Sequence, residues 1–391
     1  MDRREFLKLA GTGVLGFTFL NPSLFAVPKE NGNWDRILVL VELRGGNDGL
    51  NTLVPYREKT YYQARPTLAI PSNNVLKLTD ELGLNPKLSP LMESWKAKDL
   101  AIVAGVGYPN PNRSHFRSIE IWETASNSNE FLNEGWIARL FAQHKPSQKL
   151  AADGLILDRG QEGPLSGKKM RNIVFSNPKQ FLQQASRLEE LSAQHVNNPS
   201  LLHLIEVQKN ILKAAKMLQQ KLQEAPPLRT AFPPYRLAQQ LKIAAQLLSV
   251  TIPAPVIKVS MGSFDTHSGQ KNPHMRLMQE LSQSLAAFRK ALKQAGIWDR
   301  VLVMTYSEFG RRVRENGSKG TDHGTAAPHF ILGGKVKGGI YGKQPSLKDL
   351  DRGDLKFTTD YRRMYMTVAK LWWNLSPENL PHKEFKPLLC L

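Results

Sequence analysis

The chain has 391 residues, of which 41% are hydrophobic and 8% aromatic, so its composition excludes wholesale disorder and allows a large packed core. Lysine and arginine (53) outnumber aspartate and glutamate (34), which gives a formal net charge of +19. The basic residues are scattered and no nucleic-acid-binding motif accompanies them, so we do not expect nucleic-acid binding. An anionic small molecule or a glycan is the expected kind of partner.

The first residues have the pattern of an export signal. Arg3 and Arg4 precede a short apolar stretch, residues 9–20, which predicts a twin-arginine signal peptide over residues 1–27. We therefore expect the twin-arginine export machinery as a partner and a periplasmic or otherwise exported mature protein without a membrane span. A retained anchor is the alternative, because the cleavage site is weakly marked. The only cysteine, Cys390, excludes an intramolecular disulfide.

Apolar runs predict buried strands of a mostly parallel sheet in an α/β fold. The runs are residues 36–43, 100–106, 255–260, 301–305 and 327–332. Amphipathic patterns predict helices between and after these runs. We expect one domain over residues 28–391, with a helical insertion around residues 177–250 and a loop-rich segment at residues 153–167.

Carboxylates and imidazoles follow the predicted strands, at the point where each strand ends. Because the carboxyl ends of parallel strands meet at one edge of a sheet, we expect these side chains to converge. Oxygen and nitrogen ligands suit a divalent metal such as Zn, Mn, Mg or Ca. The predicted ligands are Asp48, Asp265, His267, Glu308, Asp322 and His323.

Ser114 lies at the start of a predicted helix that follows residues 100–106. Free backbone N–H groups at a helix N-terminus favour an ionised oxygen or a bound phosphate, which makes Ser114 a candidate nucleophile. The alternative is a simple helix cap. Likewise, Asp48 can belong to an ordinary turn, and the Asp265 to His267 segment to a solvated surface turn. We expect His274 to be a surface residue.

Several of these segments resemble the bacterial domain-of-unknown-function 1501 family. They are the leader and residues 43–51, 112–116, 262–267, 306–311 and 321–324, so that the resemblance covers nearly the entire chain. It implies a relation to the alkaline phosphatase and sulfatase superfamily. An alkaline phosphatase-like fold, with helices on both faces of the central sheet, is therefore expected.

The resemblance also implies roles for individual residues. Asp48 matches the first metal-binding aspartate, Ser114 the nucleophile and His323 the last histidine. The pair of Asp265 and His267 matches a ligand pair that the superfamily usually spaces further apart.

The next strand departs from the superfamily's pattern. Glu308 stands where an Asp-His pair normally ends the strand, Phe309 replaces the histidine of that pair, and Asp322 is an addition. This more oxygen-rich set shifts the expectation from two zinc ions to one zinc, or to Mn, Mg or Ca.

The implied activity is metal-dependent hydrolysis of phosphate or sulfate esters. Arg44 or Arg311 would hold the anionic oxygens of the ester, because a guanidinium offers two parallel N–H donors. The alternative is a non-catalytic envelope binding protein that keeps the fold, with a structural metal or none.

Overall fold

A computed structural model describes residues 32–146, 150, 152–158, 161–187, 198–250, 254–378, 380 and 382–391. The predicted signal peptide lies outside the described residues and stays a prediction. Gly32–Leu391 forms one compact unit. None of the described helices is long and apolar enough to cross a membrane.

The strands and helices alternate along much of the chain. The strands are β1 (Ile37–Leu43), β2 (Leu53–Val54), β3 (Leu76–Lys77), β4 (Gly83–Leu84), β5 (Leu100–Gly107), β6 (Gly154–Ile156), β7 (Asn172–Val174), β8 (Val256–Met261), β9 (Val301–Tyr306), β10 (Ala327–Gly333), β11 (Gly339–Tyr341), β12 (Leu350–Asp351), β13 (Asp354–Leu355) and β14 (Thr359–Asp360). The α-helices are α1 (Lys59–Ala64), α2 (Met92–Lys96), α3 (His115–Thr124), α4 (Trp136–Gln143), α5 (Pro178–Ala185), α6 (Pro199–Glu224), α7 (Arg236–Ser249), α8 (Lys271–Gln294) and α9 (Arg362–Met366).

Nine of these strands form the central sheet, in the order β11-β5-β10-β9-β1-β8-β6-β7, with β14 paired to β5. Only the two pairings of β10 are antiparallel, and the other six are parallel. The predicted mostly parallel sheet is therefore confirmed. Its central strands are continuous apolar runs because helices cover both of their faces.

Strand direction decides which loops meet. β1, β5, β8 and β9 run the same way, so the segments that follow them leave from one edge of the sheet. β10 runs the opposite way, and the segment that precedes it arrives at that same edge. Residues far apart in sequence are thereby brought to one place.

Two hydrophobic layers hold the sheet between helices. On one face, α7 and α8 pack through residues such as Leu241 and Leu285. On the other face, α3, α4 and α9 pack around Trp136, whose ring stacks on Tyr365 with centroids 4.4 Å apart. Helices therefore cover both faces, and the helical insertion expected around residues 177–250 stays a prediction.

The segment around residues 153–167 was predicted to be loop-rich, and that prediction is wrong in part. β6 begins at Gly154 and pairs in parallel with β8, and β7 adds a further parallel strand at the edge of the sheet. Each of these strands has only three residues. Such a short run is not distinguishable from a loop by its periodicity.

Helix α3 carries a carboxyl group beneath its outer surface. Burial raises the pKa of Glu123 to about 7, against the opposing effect of the Lys258 ammonium. That ammonium already pairs with Glu42, 2.8 Å away, and donates to the carbonyl of Gln161. The folded protein therefore keeps Glu123 protonated up to about pH 7, far above the range of a free glutamate.

Replacement of Glu123 by glutamine tests this environment. A carboxyl group whose pKa is higher in the folded than in the unfolded protein lowers the unfolding free energy as the pH rises from 4.5 through about 7. In urea unfolding at pH 8, we expect Glu123→Gln to be more stable than the wild type by about 1–2 kcal/mol, a value reduced because the side chain is only partly buried. The gain should vanish below pH 4.5. Glu120→Gln, at a more exposed position of the same helix, is the control, and an equal gain at pH 4 and pH 8 would contradict the prediction.

Candidate metal centre

Side chains from four segments meet at the carboxyl edge of the sheet. Asp265 and His267 follow β8, and Glu308 follows β9. His115 begins helix α3, which comes after β5, and His323 precedes β10. A backbone bridge between Arg311 and His323 joins the segment after β9 to the segment before β10.

The ligand atoms of His115, Asp265 and His323 lie within 4.8 Å of one another. Oδ1 of Asp265 is 3.1 Å from Nε2 of His323, and Oδ2 is 3.4 Å from Nε2 of His115. Nε2 of His267 lies 3.0 Å from both Asp265 Oδ1 and His323 Nε2. His115, Asp265 and His323 therefore form a core group, and His267 is a candidate fourth member.

Each imidazole is oriented by a hydrogen bond at its other nitrogen. The Nδ1 contacts are His115 with Glu308 Oε1 at 2.7 Å, His267 with Asp322 Oδ1 at 3.2 Å, and His323 with the Arg113 carbonyl at 2.8 Å. Carboxylate and carbonyl oxygens accept, so Nδ1 donates and Nε2 of the neutral ring keeps its lone pair. Outer acceptors of this kind also make an imidazole a better metal ligand. The hydrogen bond with Glu308 accordingly raises the pKa of His115.

In the resulting arrangement, Nε2 atoms face one another without a hydrogen-bond donor between them. Nε2 of His115 is buried and has no hydrogen-bond partner among the described residues. Nε2 of His267 and of His323 are within hydrogen-bond distance, but neither carries a proton in the neutral tautomers that their Nδ1 contacts select. Two lone pairs and the Asp265 carboxylate thus face one another. A divalent cation fits this donor set and removes the repulsion.

Asp265 is held in place by Arg311, whose side chain is fully buried. Nη2 of Arg311 lies 2.6 Å from Oδ1 of Asp265, and the guanidinium also donates to the carbonyls of Gly46 and Thr321 at 2.8 and 2.9 Å. Burial raises the pKa of Asp265, but the hydrogen bond and the positive charge of Arg311 oppose this, and the pKa is lowered to about 2. Asp265 is therefore a carboxylate at any working pH.

Arg311 was predicted to hold the anionic oxygens of a substrate, and its burial contradicts that role. A guanidinium with no exposed surface has no face for a molecule that arrives from solvent. Arg44 is 37% exposed, but it pairs with Glu42 and Asp158 at 3.1 and 3.3 Å. Neither arginine is a free anion-binding group.

Asp48 is not part of the group of converging ligand atoms. Its carboxylate is fully buried, lies 2.6 Å from Nη1 of Arg65 and also accepts from Gln270. Burial raises the pKa of Asp48, and the pair with Arg65 outweighs that effect and lowers it. The structure therefore places Asp48 in an ion pair below the surface, apart from the solvent-accessible histidines.

His274 was predicted to be a surface residue, and that prediction is wrong. It is 1% exposed, and its Nε2 lies 3.1 Å from Oδ1 of Asn47. Burial lowers the pKa of His274 to about 4, so the ring is neutral at physiological pH. It belongs to the same buried polar layer as Asp48.

Ser114 is exposed and occupies the N-cap position of α3, a helix of ten residues. Its hydroxyl makes no capping hydrogen bond, which leaves the oxygen available for other contacts. The residue directly precedes His115, so the predicted nucleophile stands beside a candidate ligand. Ser114 is thus the N-cap residue by position, without a capping hydrogen bond from its side chain.

Sequence reasoning did not identify His115 as a candidate ligand. Its position beside Ser114, in a segment that resembles a family motif, was the available signal. The deciding feature is its contact with Glu308, which lies 193 residues away in the sequence. The carbonyl of Arg113, which orients His323, carries no signal in the sequence at all.

Close packing of the loops depends on glycine at one position of the first turn. Gly45 has φ = 112°, a conformation that L residues rarely adopt, and a Cβ atom there would lie 2.5 Å from the backbone nitrogen of Asp265. Its N–H donates to Oε1 of Glu308 at 2.8 Å. The turn after β1 can therefore lie directly against two site segments.

A family model described as "Protein of unknown function (DUF1501)" matches residues 81–383. The chain belongs to the DUF1501 family. The predicted membership is thereby confirmed. The matched region contains His115, Asp265, His267, Glu308 and His323, whereas Asp48 precedes it. No curated protein sequence matches this DUF1501 protein significantly.

Solved structures that are similar to this DUF1501 protein include members of the alkaline phosphatase superfamily. A protein of that superfamily from Vibrio parahaemolyticus is 10% identical, with a TM-score of 0.41 over 90% of this chain and 70% of that chain. The PsFucS1 sulfatase from Pseudoalteromonas sp. gives the same identity, TM-score and coverage. Lipooligosaccharide phosphoethanolamine transferase A from Neisseria meningitidis is 9% identical, with a TM-score of 0.43 over 91% of this chain and 58% of that chain.

The placement of Asp48 and Asp265 predicts different effects on metal binding for the same substitution. Asp48→Asn leaves the Arg65 charge buried without its partner, so we expect a loss of about 3 kcal/mol in the unfolding free energy measured in chelator, whereas the variant purified without chelator should keep its metal. Asp265→Asn should lose the metal and also some stability, because it removes the carboxylate that pairs with the buried guanidinium of Arg311. Urea unfolding and elemental analysis of both variants provide the measurements. Loss of metal from a stable Asp48→Asn protein would restore Asp48 as a ligand.

Proposed function

We propose that the protein is a metal-dependent hydrolase that acts on phosphate or sulfate esters. The observation that carries the proposal is the convergence of imidazole Nε2 atoms and the Asp265 carboxylate on one solvent-accessible point. His115, Asp265 and His323 would hold the metal, with His267 as a candidate fourth ligand. Glu308 and Asp322, which were predicted as ligands, would instead orient His115 and His267 from outside.

A set of imidazoles with one carboxylate suits zinc better than it suits Mg or Ca, which prefer all-oxygen sites. The sequence suggested a more oxygen-rich site because Phe309 replaces a histidine and Glu308 was counted as a direct ligand. The side chains of His115 and His323 are 32% and 22% exposed, so solvent and substrate have access to the centre. A bound zinc ion supplies Lewis acidity toward an oxygen of the ester.

Ser114 is the proposed nucleophile. Its exposed hydroxyl stands at the N-terminus of α3, where the unpaired N–H groups and the helix dipole stabilise negative charge on an oxygen. The preceding residue, Arg113, pairs with Asp354, so it is no freer than Arg44 to hold the anionic oxygens. Its side chain is 34% exposed and its carbonyl contacts His323, which places its backbone beside the centre.

Metal content is the direct test of the centre. Protein purified without chelator should contain about one zinc per chain, because the ligand atoms of His115, Asp265 and His323 converge on one point and three protein ligands leave a position open, as in catalytic zinc sites. We expect His323→Ala to lose the metal and His267→Ala to bind it more weakly. His144→Ala is the matched control, since that histidine contacts the carbonyl of Ser376 elsewhere on the molecule. Equal metal content in wild type and His323→Ala would overturn the assignment.

Replacement of the serine tests hydrolysis separately from metal binding. Ser114→Ala should keep zinc and fold, and lose at least about a thousandfold in kcat on p-nitrophenyl phosphate or p-nitrophenyl sulfate. If Ser114 were only a helix cap, the variant would keep its turnover and lose about 1 kcal/mol of stability. Ser318→Ala, at an exposed loop serine, is the control. A zinc-loaded wild type that turns over neither ester would support the non-catalytic binding protein with a structural metal.

A further inference from the structure

A cavity of about 320 Å³ lies beside the candidate metal centre. Its volume is at the lower end of the range for small-molecule sites. Its lining includes Tyr108, Asn110, Phe309, Asp351, Lys356 and Phe357. Tyr108 directly follows β5, so the cavity opens at the same edge of the sheet as the ligands.

Phe309 joins the cavity to the centre. Its ring centroid is 4.9 Å from that of His115 and 4.6 Å from that of His323, and the same side chain lines the cavity. Thr325, two residues after His323, also lines it. A group bound in the cavity would therefore lie one side chain away from the metal ligands.

The lining combines aromatic side chains with a polar rim. Tyr108, Phe309 and Phe357 come from three separate segments and line the cavity, and Phe357 is the most exposed of them, because Tyr108 and Phe309 are each 3% exposed. The hydroxyl of Tyr108 is already engaged by Ser118 at 2.8 Å. Asn110, Asp351 and Lys356 are exposed and can contact polar groups at the edge of an occupant. Aromatic walls of this kind complement a ring rather than a linear chain.

The outer wall of the cavity is tied to the same segments that build the centre. It is formed by the hairpin of β12 and β13, in which Asp354 is buried and pairs with Arg113 and, at 3.8 Å, with Arg312. The carbonyl of Leu355 accepts a hydrogen bond from Thr325. The wall is thus fixed before any ligand arrives, which lowers the entropic cost of binding.

We propose that this cavity binds the alcohol part of the ester, and that this part is a ring, either a sugar ring or an aryl group. The inference rests on the proposed function, because it assigns the group that would leave from the phosphate or sulfate. An ester held this way would place its ring against Phe357 and Phe309 and its anionic end beside Ser114.

Dissociation constants of defined esters test the proposal. The zinc-loaded Ser114→Ala variant would be titrated by calorimetry with phenyl phosphate, glucose 6-phosphate and methyl phosphate, and with phenyl and methyl sulfate. We expect at least one ring ester to bind about tenfold more tightly than the methyl ester of the same acid. Tighter binding of phenyl phosphate than of glucose 6-phosphate would indicate an aryl group, and the reverse order would indicate a sugar ring.

A second substitution locates the preference. Adding Phe357→Ala should abolish the difference in dissociation constant between ring and methyl esters. Adding Phe357→Leu should reduce that difference, and this variant serves as the test if the alanine variant does not fold. Phe131→Ala is the matched control, since Phe131 is 74% exposed and does not line the cavity. Equal affinity for ring and methyl esters, a preference that survives in Phe357→Ala, or binding of none of the esters would overturn the inference.

Failure of the cavity assignment and failure of the proposed function give different results. Ligand-observed NMR on His323→Ala would measure phenol and glucose binding without the metal. Ring binding that depends on Phe357, together with a wild type that hydrolyses no ester, would refute the hydrolase and support the cavity. Hydrolysis of methyl and phenyl esters with equal kcat/KM would support the hydrolase and refute the cavity.

Discussion

The guanidinium of Arg311 joins three loops that the sheet alone would leave independent. It donates to carbonyls after β1 and before β10 and to the side chain of Asp265 after β8. Its burial makes these charge-assisted hydrogen bonds strong, and it also makes them obligatory, because an unpaired buried charge is very costly. Arg311 holds Asp265 in position and lowers the pKa of its carboxyl group.

The orientation of the imidazoles depends on a second set of contacts, made at their Nδ1 atoms. Glu308, Asp322 and the Arg113 carbonyl each accept from one ring, and each thereby turns a Nε2 lone pair toward the centre. Glu308 also accepts from the backbone of Gly45, so a residue next to the core of the sheet fixes both a loop and a candidate ligand. The chemistry at the surface is set by the hydrogen bonds beneath it.

A buried polar layer lies under these loops. Asp48, Arg65 and Gln270 are paired there, and Thr321 donates to Oε1 of Gln270 at 2.5 Å. The layer has the residue types of an active site, but without solvent access it supports the loops and does not meet a substrate. The outer wall of the cavity is anchored in a related way, because Asp354 pairs with Arg113 beside the centre.

The sequence by itself determined the buried strands, the family, and the placement of Asp265, His267 and His323 next to strands at one edge of the sheet. Hydrophobic periodicity and the polar residues that follow each strand are local signals, which is why these predictions succeeded. Only the tertiary structure decided that His115 joins the centre, that Glu308 and Asp322 orient imidazoles, and that Arg311 and Asp48 are buried in ion pairs. Those roles depend on which side chains meet across the fold and on their exposure to water, and neither is encoded in the spacing of residues along the chain.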